Sequence, residues 1–139
     1  MTDTSVLFVC VSNAGKSVMA AGLMRQIVAP NIRVASAGTH AKTTVNEISA
    51  RALAEVGVDI SDHRPTQLTE QLIDDADLVV VVGNQAHVNN RPGSVVQRWD
   101  TDEPSRRGIE GIDRMRIIRD DIADRVRTLV AELNGRRPE

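Results

Sequence analysis

The only cysteine in the sequence lies in the segment CVSNAGKS, which runs from Cys10 to Ser17. Five residues separate its thiol from Lys16, and Ser17 follows the lysine directly. An apolar run precedes the segment and a helical pattern begins at Lys16, which predicts a loop between a buried strand and a helix N-terminus. Backbone N–H groups at a helix N-terminus point toward one spot and attract anions. The loop is therefore a candidate site for a tetrahedral oxyanion.

The same surroundings favour a reactive thiolate at Cys10. A helix N-terminus and a nearby cation stabilise a thiolate, and the hydroxyl of Ser17 can donate a hydrogen bond to the sulfur. Asn13 can adopt a left-handed backbone conformation or fix the loop through its side-chain amide, and Gly15 relieves steric limits where the turn tightens. A thiolate at the centre of an oxyanion cradle is a nucleophile aimed at its substrate. The alternative is a structural cysteine, buried as a small apolar side chain. The predicted oxyanion-binding residues are Val11, Ser12, Asn13, Ala14, Gly15, Lys16 and Ser17.

The remaining sequence predicts the elements that position this loop. Apolar runs predict four strands at SVLFVC, IRVASAG, ADLVVVVG and SVVQRWD. Helical periodicity predicts helices over 16–28, 45–56 and about 109–133, a short helix or turn at TEQLIDD, and a frayed tail at NGRRPE. Strands that alternate with helices pair in parallel, so we predict an α/β doubly wound domain of three layers. Ligands bind beyond the carboxyl ends of such strands, where Cys10 lies.

Composition excludes several classes of function. The 139 residues suit one domain over 1–139, and the net charge of -2 favours no contact with nucleic acid. The apolar runs are too short to cross a membrane, and no basic segment precedes the first one as in a signal peptide, so we expect a cytoplasmic protein. One cysteine excludes an internal disulfide. His40, His63 and His87 lack metal-ligand spacing, so we expect surface histidines and no metal site.

Four segments together resemble a known family. They are VLFVCVSNAGKSVMAAGLM, SAGT at 36–39, DEP at 102–104 and RMRIIRDDI at 114–122. They are similar to the low-molecular-weight protein tyrosine phosphatases, in the arsenate reductase branch, in order and over nearly the whole chain. The resemblance implies a flavodoxin-like strand order and catalytic roles for Cys10, Lys16 and Ser17. It also implies a general acid just before the proline, which is Glu103 or its neighbour Asp102. Such a carboxyl group can protonate a leaving oxygen if the nearby thiolate and oxyanion raise its pKa.

The departures from the family pattern narrow the implied substrate. Lys16 replaces the usual arginine, and a lysine offers a compact charge instead of a planar fork with two parallel donors. That replacement weakens a site for phosphoryl transfer. The resulting loop resembles the loop of the actinobacterial arsenate reductases that use mycothiol. The acid loop DEPSRRG lacks the family's tyrosines, and the sequence contains no tyrosine at all. The resemblance therefore implies a small inorganic oxyanion, arsenate, as substrate.

A second sulfur is also missing. Gly15 stands where many phosphatases of the family have another cysteine, and Val82 and Asn84 stand where the thioredoxin-linked reductases have a redox pair. Reduction of As(V) to As(III) takes two electrons, which one thiol supplies only if another sulfur completes a disulfide. The resemblance therefore implies mycothiol as cosubstrate, a mycoredoxin that releases arsenite, and no bound cofactor.

Three questions stay open at this level. The protein could instead be a low-activity phosphatase on small phosphate esters, or an oxyanion-binding protein without turnover. Glutathione and bacillithiol are alternatives to mycothiol, because no motif identifies the thiol. Either Cys10 or the external thiol could attack arsenate first.

Overall fold

All four predicted strands are present in the computed structural model, which describes residues 3–135. The strands are β1 (Thr4–Cys10), β2 (Ile32–Gly38), β3 (Leu78–Val82) and β4 (Val96–Trp99). They form one parallel sheet in the order β2–β1–β3–β4, which is the flavodoxin-like order. The chain moves to one side of β1 to form β2 and then to the other side to form β3. Cys10, the last residue of β1, therefore lies at the topological switch point of the sheet.

Four α-helices occur in the described residues: α1 (Lys16–Arg25), α2 (Glu47–Ala54), α3 (Glu70–Asp75) and α4 (Gly111–Gly135). The predicted spans 16–28 and 45–56 were too long. Asn46 is the N-cap of α2, because its side chain accepts the Ser49 N–H at 3.0 Å. Helical spacing predicts Val56 on the buried face of this helix, but Val56 lies beyond the end of α2 and is 42% exposed.

The last helix and the segment before it also differ from the prediction. Asn134 and Gly135 belong to α4, so the expected fraying is wrong for these two residues, and 136–139 lie outside the described residues. A 3₁₀ helix over Pro104–Arg107, which the sequence analysis missed, follows the segment predicted to carry the acid.

Helices cover both faces of the sheet. Val6 and Phe8 of β1 face a large core formed with α1, α2 and α4. Leu7 and Val9, which alternate with them, face a smaller core with α3. This alternation confirms the predicted three layers. No helix in residues 3–135 is long and apolar enough to cross a membrane.

The end of β2 lies directly against the cysteine loop. A Cβ atom at Gly38 would lie 2.6 Å from the carbonyl oxygen of Val11 and 2.8 Å from the backbone nitrogen of Asn13. The next residue, Thr39, donates its N–H to the carbonyl of Cys10 at 3.0 Å. Only glycine permits this approach of the two backbones.

The substitution Gly38→Ala tests this approach. We expect it to lower the free energy of unfolding by about 1–3 kcal/mol and to weaken phosphate binding, because the added methyl group must push the loop away. Urea denaturation and phosphate calorimetry measure the two effects. Gly135→Ala is the control, since a Cβ at Gly135 meets no atom within 4 Å. Wild-type stability and affinity in Gly38→Ala would contradict the argument.

Candidate active site

The loop after β1 turns its carbonyl groups outward. The carbonyl oxygens of Val11, Ser12 and Ala14 accept N–H groups from the segment 39–46, at 2.8, 3.0 and 2.9 Å respectively. The C=O and N–H of a trans peptide group point in opposite directions. Each outward carbonyl therefore turns the following amide toward the inside of the loop.

The inward amides belong to the same short loop as the sulfur of Cys10. The inward direction applies to the amides of Ser12, Asn13 and Gly15. Of these, the Asn13 amide donates to Sγ at 3.3 Å. The N-terminus of α1 begins at Lys16 and adds its own positive end to the same hollow. Converging amides at a helix N-terminus form an anion-binding site. The loop thus has the geometry that the sequence predicted for an oxyanion cradle.

Cys10 lies at the floor of this cradle. Its side chain is nearly buried, and Sγ lies 3.0 Å from Oγ of Ser17. Ser17 Oγ accepts a hydrogen bond from Nδ2 of Asn13 at 2.8 Å. Because that bond occupies a lone pair of the oxygen, the hydroxyl hydrogen is available to the sulfur. Ser17 and the Asn13 amide together direct two donors at Cys10.

Asn13 holds the loop in shape from behind. It is fully buried and has a φ of 50°, the left-handed region that the sequence analysis allowed for it. Its Oδ1 accepts the N–H of Thr66 at 2.8 Å. Asn13 and Ser17 therefore shape the cradle, whereas Val11, Ser12, Ala14, Gly15 and Lys16 line the cleft above it.

His63 also contacts the loop, so its prediction as a surface histidine is wrong. Its Nε2 lies 3.2 Å from Oδ1 and 3.3 Å from the backbone oxygen of Asn13, and two oxygen neighbours assign the ring proton to Nε2. Burial lowers the pKa of His63, which favours the neutral ring. Fifty positions separate the two residues, and no local pattern in the sequence predicts their contact. His40 and His87 are exposed as predicted, and residues 3–135 contain no cluster of three or more His, Cys, Asp or Glu that could hold a metal.

Lys16 reaches across the cleft from the start of α1. Its Nζ lies 3.8 Å from Oε1 of Glu103. The side chain passes the end of β3, where a Cβ on Gly83 would lie 3.3 Å from Nζ. The ammonium group is therefore placed between the cysteine loop and the acid loop, where it can attract an anion.

The two candidate acids have different positions. Glu103 lines the same cleft as Cys10, whereas Asp102 does not. Asp102 pairs with Arg107 through two hydrogen bonds of 2.8 and 3.0 Å, and these bonds lower the pKa of Asp102. Of the two carboxyl groups, Glu103 is the one that can reach a molecule in the cleft.

Arg114 holds Glu103 as a carboxylate. Its Nε donates to Oε2 of Glu103 at 2.9 Å and its Nη2 to Oε1 at 2.8 Å. Ser105 Oγ donates to the same Oε2 at 2.9 Å. The hydrogen bonds from Arg114 are the main cause that lowers the pKa of Glu103 to about 2. The contacts of Glu103 in this structure therefore lower its pKa and do not raise it, because Arg114, which the sequence did not mark as a partner, binds the carboxylate.

Helical spacing predicts the arginines of α4 on a solvated polar face, but two of them lie elsewhere. Arg119 is 9% exposed and donates to the carbonyl of Ala52 at 2.8 Å, which ties α4 to α2. Arg114 lines the cleft. A signal for Arg114 was present, since it stands four residues before Ile118, on the buried stripe of the helix.

The cleft above Cys10 has a volume of about 370 Å³. Its walls come from the segment 42–49, the residues 82–86 after β3, and Glu103, Arg114 and Met115. The two aromatic residues of the chain, Phe8 and Trp99, are buried in the core with ring centroids 5.4 Å apart. No aromatic side chain lines the cleft in the described part of the chain, so none grips a phosphotyrosine ring there.

Comparison with known proteins gives the family. The model of the low molecular weight phosphotyrosine protein phosphatase family matches residues 5–138. The chain belongs to this family. An arsenate reductase of Staphylococcus aureus (strain Newman) is 35% identical over 121 residues, which are 84% of this chain and 90% of that protein. The "Probable low molecular weight protein-tyrosine-phosphatase EpsP" of Ralstonia solanacearum is 35% identical over 116 residues, covering 74% of this chain and 79% of that one.

A solved structure agrees with these relatives. The Corynebacterium glutamicum thioredoxin-dependent arsenate reductase Cg_ArsC1' has a TM-score of 0.82 and 29% identity. The match covers 98% of this chain and 64% of that longer chain. The family and fold predictions are confirmed, and the family is one of enzymes that includes both phosphatases and arsenate reductases.

The Glu103–Arg114 pair predicts how stability depends on pH. Glu103 has its pKa lowered from 4.5 to about 2 on folding, so the pair adds stability above pH 4.5 that is lost as the pH falls toward 2. Glu103→Gln should lower Tm at neutral pH by a few degrees at most, because a partly exposed pair contributes about 1 kcal/mol or less.

The measurement is Tm by circular dichroism across this pH range. The Tm difference from wild type should shrink as the pH falls below 4.5. Glu132→Gln, at an exposed position on α4, is the control. A difference for Glu103→Gln that stays constant with pH would refute the assigned ion pair.

Proposed function

We propose that this protein is an arsenate reductase that couples arsenate to a low-molecular-weight thiol, with mycothiol as the thiol and a mycoredoxin as the protein that releases arsenite. The observation that carries the proposal is a single cysteine at the floor of an oxyanion cradle. In this account Cys10 is the nucleophile and Lys16 attracts the anion. Ser17 donates a hydrogen bond to the sulfur.

The first step joins arsenate to Cys10. The amides of the loop and Lys16 hold the oxyanion above Sγ, and the sulfur attacks arsenic. An As–S bond forms and an As–O bond breaks. The departing oxygen leaves as water with the proton of the thiol and the proton of the arsenate hydroxyl. In this account Glu103 acts as the general acid. After it has taken up a proton, its carboxyl group donates that proton to the departing oxygen.

The later steps need sulfur atoms from other molecules. The thiol of mycothiol displaces Cys10 from arsenic, which remains As(V), and the adduct leaves the cleft. A mycoredoxin thiol then attacks the mycothiol sulfur, so that an S–S bond forms and the As–S bond breaks. The electron pair of that bond reduces As(V) to As(III), and arsenite departs. A second mycothiol resolves the mixed disulfide.

The dimensions and lining of the cleft support a second substrate beside the oxyanion. A water molecule takes about 30 Å³ of liquid volume, and a five-atom oxyanion needs only a few times that. The cleft of about 370 Å³ leaves further room. Asn46, Ser49, Asn84 and Gln85 line it with uncharged donors and acceptors, which suit a thiol rich in hydroxyl groups. The cysteine loop, with its lysine, resembles the corresponding loop of the mycothiol-dependent reductases. This resemblance also supports mycothiol as the thiol.

The electron donor is tested by comparing thiols directly. Purified protein, arsenate and NADPH are combined with mycothiol and mycoredoxin, with glutathione and glutaredoxin, with bacillithiol and its redoxin, or with thioredoxin alone. Each arm also contains the NADPH-dependent reductase that returns its own thiol or thioredoxin from the disulfide to the reduced form. Arsenate-dependent NADPH oxidation is measured in each arm. We expect the mycothiol arm to exceed every other. The thioredoxin arm should be inactive, because the sequence contains one cysteine.

Each other outcome has a distinct meaning. Efficient turnover with thioredoxin alone, the donor named for the C. glutamicum relative, would refute the requirement for a small thiol. Fastest turnover with glutathione or bacillithiol would refute mycothiol but keep the reaction class. Hydrolysis of p-nitrophenyl phosphate with no arsenate turnover in any arm would favour a phosphatase. Phosphate binding with neither activity would leave an oxyanion-binding protein.

A further inference from the structure

Arg114 brings a guanidinium group into the cleft from outside the cysteine loop. It projects from the first turns of α4, and its side chain is 25% exposed. Both of its bonded nitrogens, Nε and Nη2, are directed at the two oxygens of Glu103. This is the parallel geometry in which a guanidinium also binds a phosphate or arsenate.

Glu103 lies between two cations. Its Oε1 is 2.8 Å from Nη2 of Arg114 and 3.8 Å from Nζ of Lys16. One carboxylate oxygen thus faces both a guanidinium and an ammonium inside the cleft that holds Cys10. An oxyanion that enters the cleft meets the same two cations and carries more negative charge than a carboxylate. It therefore competes with Glu103 for both.

We propose that Arg114 is an oxyanion-binding residue, which supplies from α4 the forked contact that Lys16 cannot make, and that the oxyanion displaces Glu103 from it. The proposal rests on the proposed function and names a further residue of the same site. Its consequence concerns Glu103. Arg114 is the main cause of the low pKa of this carboxyl group, so a carboxyl group that has lost Arg114 and faces an anion takes up a proton more readily. Binding of the oxyanion thereby prepares Glu103 for proton transfer.

The acid loop contains a matched pair that serves as a control. Arg107 and Asp102 form a pair of the same kind, with two parallel bonds of 2.8 and 3.0 Å. Asp102 is the direct neighbour of Glu103 in sequence. Arg107 is exposed, and neither Arg107 nor Asp102 lines the cleft. Arg107→Gln therefore removes an equal charge and a similar ion pair, at a position next to the cleft but not in it.

The test is a double-mutant cycle with phosphate as the probe. Phosphate Kd is measured by calorimetry for wild type, Arg114→Gln, Glu103→Gln, the double variant and Arg107→Gln. We expect Glu103→Gln to tighten binding, because it removes the competitor. Arg114→Gln should weaken binding by about tenfold or more in both backgrounds, since a charged hydrogen-bonded contact is lost. Arg107→Gln should stay near wild type.

The Glu103→Gln background decides between two roles. If Arg114 only neutralises Glu103, its replacement has no effect once Glu103 has become Gln, and that result would overturn the proposal. An equal loss of affinity in Arg107→Gln would also overturn it, since the effect would then come from net charge. Arg114→Lys keeps the charge without the fork and should bind phosphate more weakly than wild type. Wild-type affinity in Arg114→Lys would refute the forked contact. If Arg114→Gln does not fold, Arg114→Lys takes its place in the cycle.

Phosphate binding separates this inference from the proposed reaction. It needs no thiol and no turnover. A protein that shows the expected cycle but reduces arsenate with none of the thiols would refute the proposed function and keep Arg114 as an oxyanion-binding residue. A protein that turns over arsenate but shows no effect of Arg114 in the cycle would refute only the present inference.

Discussion

The orientation of a few peptide groups is the constraint on which the rest of the site depends. The loop between β1 and α1 can gather amides around Cys10 only because its carbonyls are bonded outward to the segment 39–46. That bonding requires β2 to end against the loop, which Gly38 permits. It also requires Asn13 to stay in the left-handed conformation, where Thr66 and His63 hold it. Much of the chain before β3 thus serves to keep one short loop in shape.

The charges above the loop form a second, dependent layer. Arg107 and Arg114 each grip one of two adjacent carboxylates, but only the Glu103–Arg114 pair lies in the cleft. The acid loop thereby keeps the Glu103 carboxylate in the cleft that also contains Cys10, whereas Asp102 is paired with Arg107. The same pairing keeps Glu103 ionised. In the proposed reaction, the molecule that binds must therefore convert Glu103 to the protonated form, so that proton transfer depends on occupancy of the cradle.

The sequence predicted what local patterns determine. Apolar runs and βα alternation predicted the sheet, and Cys10 ends β1 as predicted. Contacts between distant segments were not predictable in this way, because nothing in the sequence near His63 or Arg114 names a partner. Arg114 was the nearest miss, since its place on the buried stripe of α4 marks it as unlike Arg116, whose partly exposed side chain pairs with Glu55 at the surface. The lowering of the Glu103 pKa by Arg114 was missed for the same reason.

The central claim is that Cys10 is the nucleophile of an arsenate-reducing site and not its scaffold. The most direct measurement is turnover of Cys10→Ser with arsenate, mycothiol and mycoredoxin, alongside its phosphate Kd. Serine preserves the size and the hydrogen-bond acceptor at the floor of the loop, so the cradle should still bind phosphate. The account predicts that turnover is lost while binding persists. Substantial turnover by the serine variant would contradict it, because the external thiol would then be attacking arsenate directly.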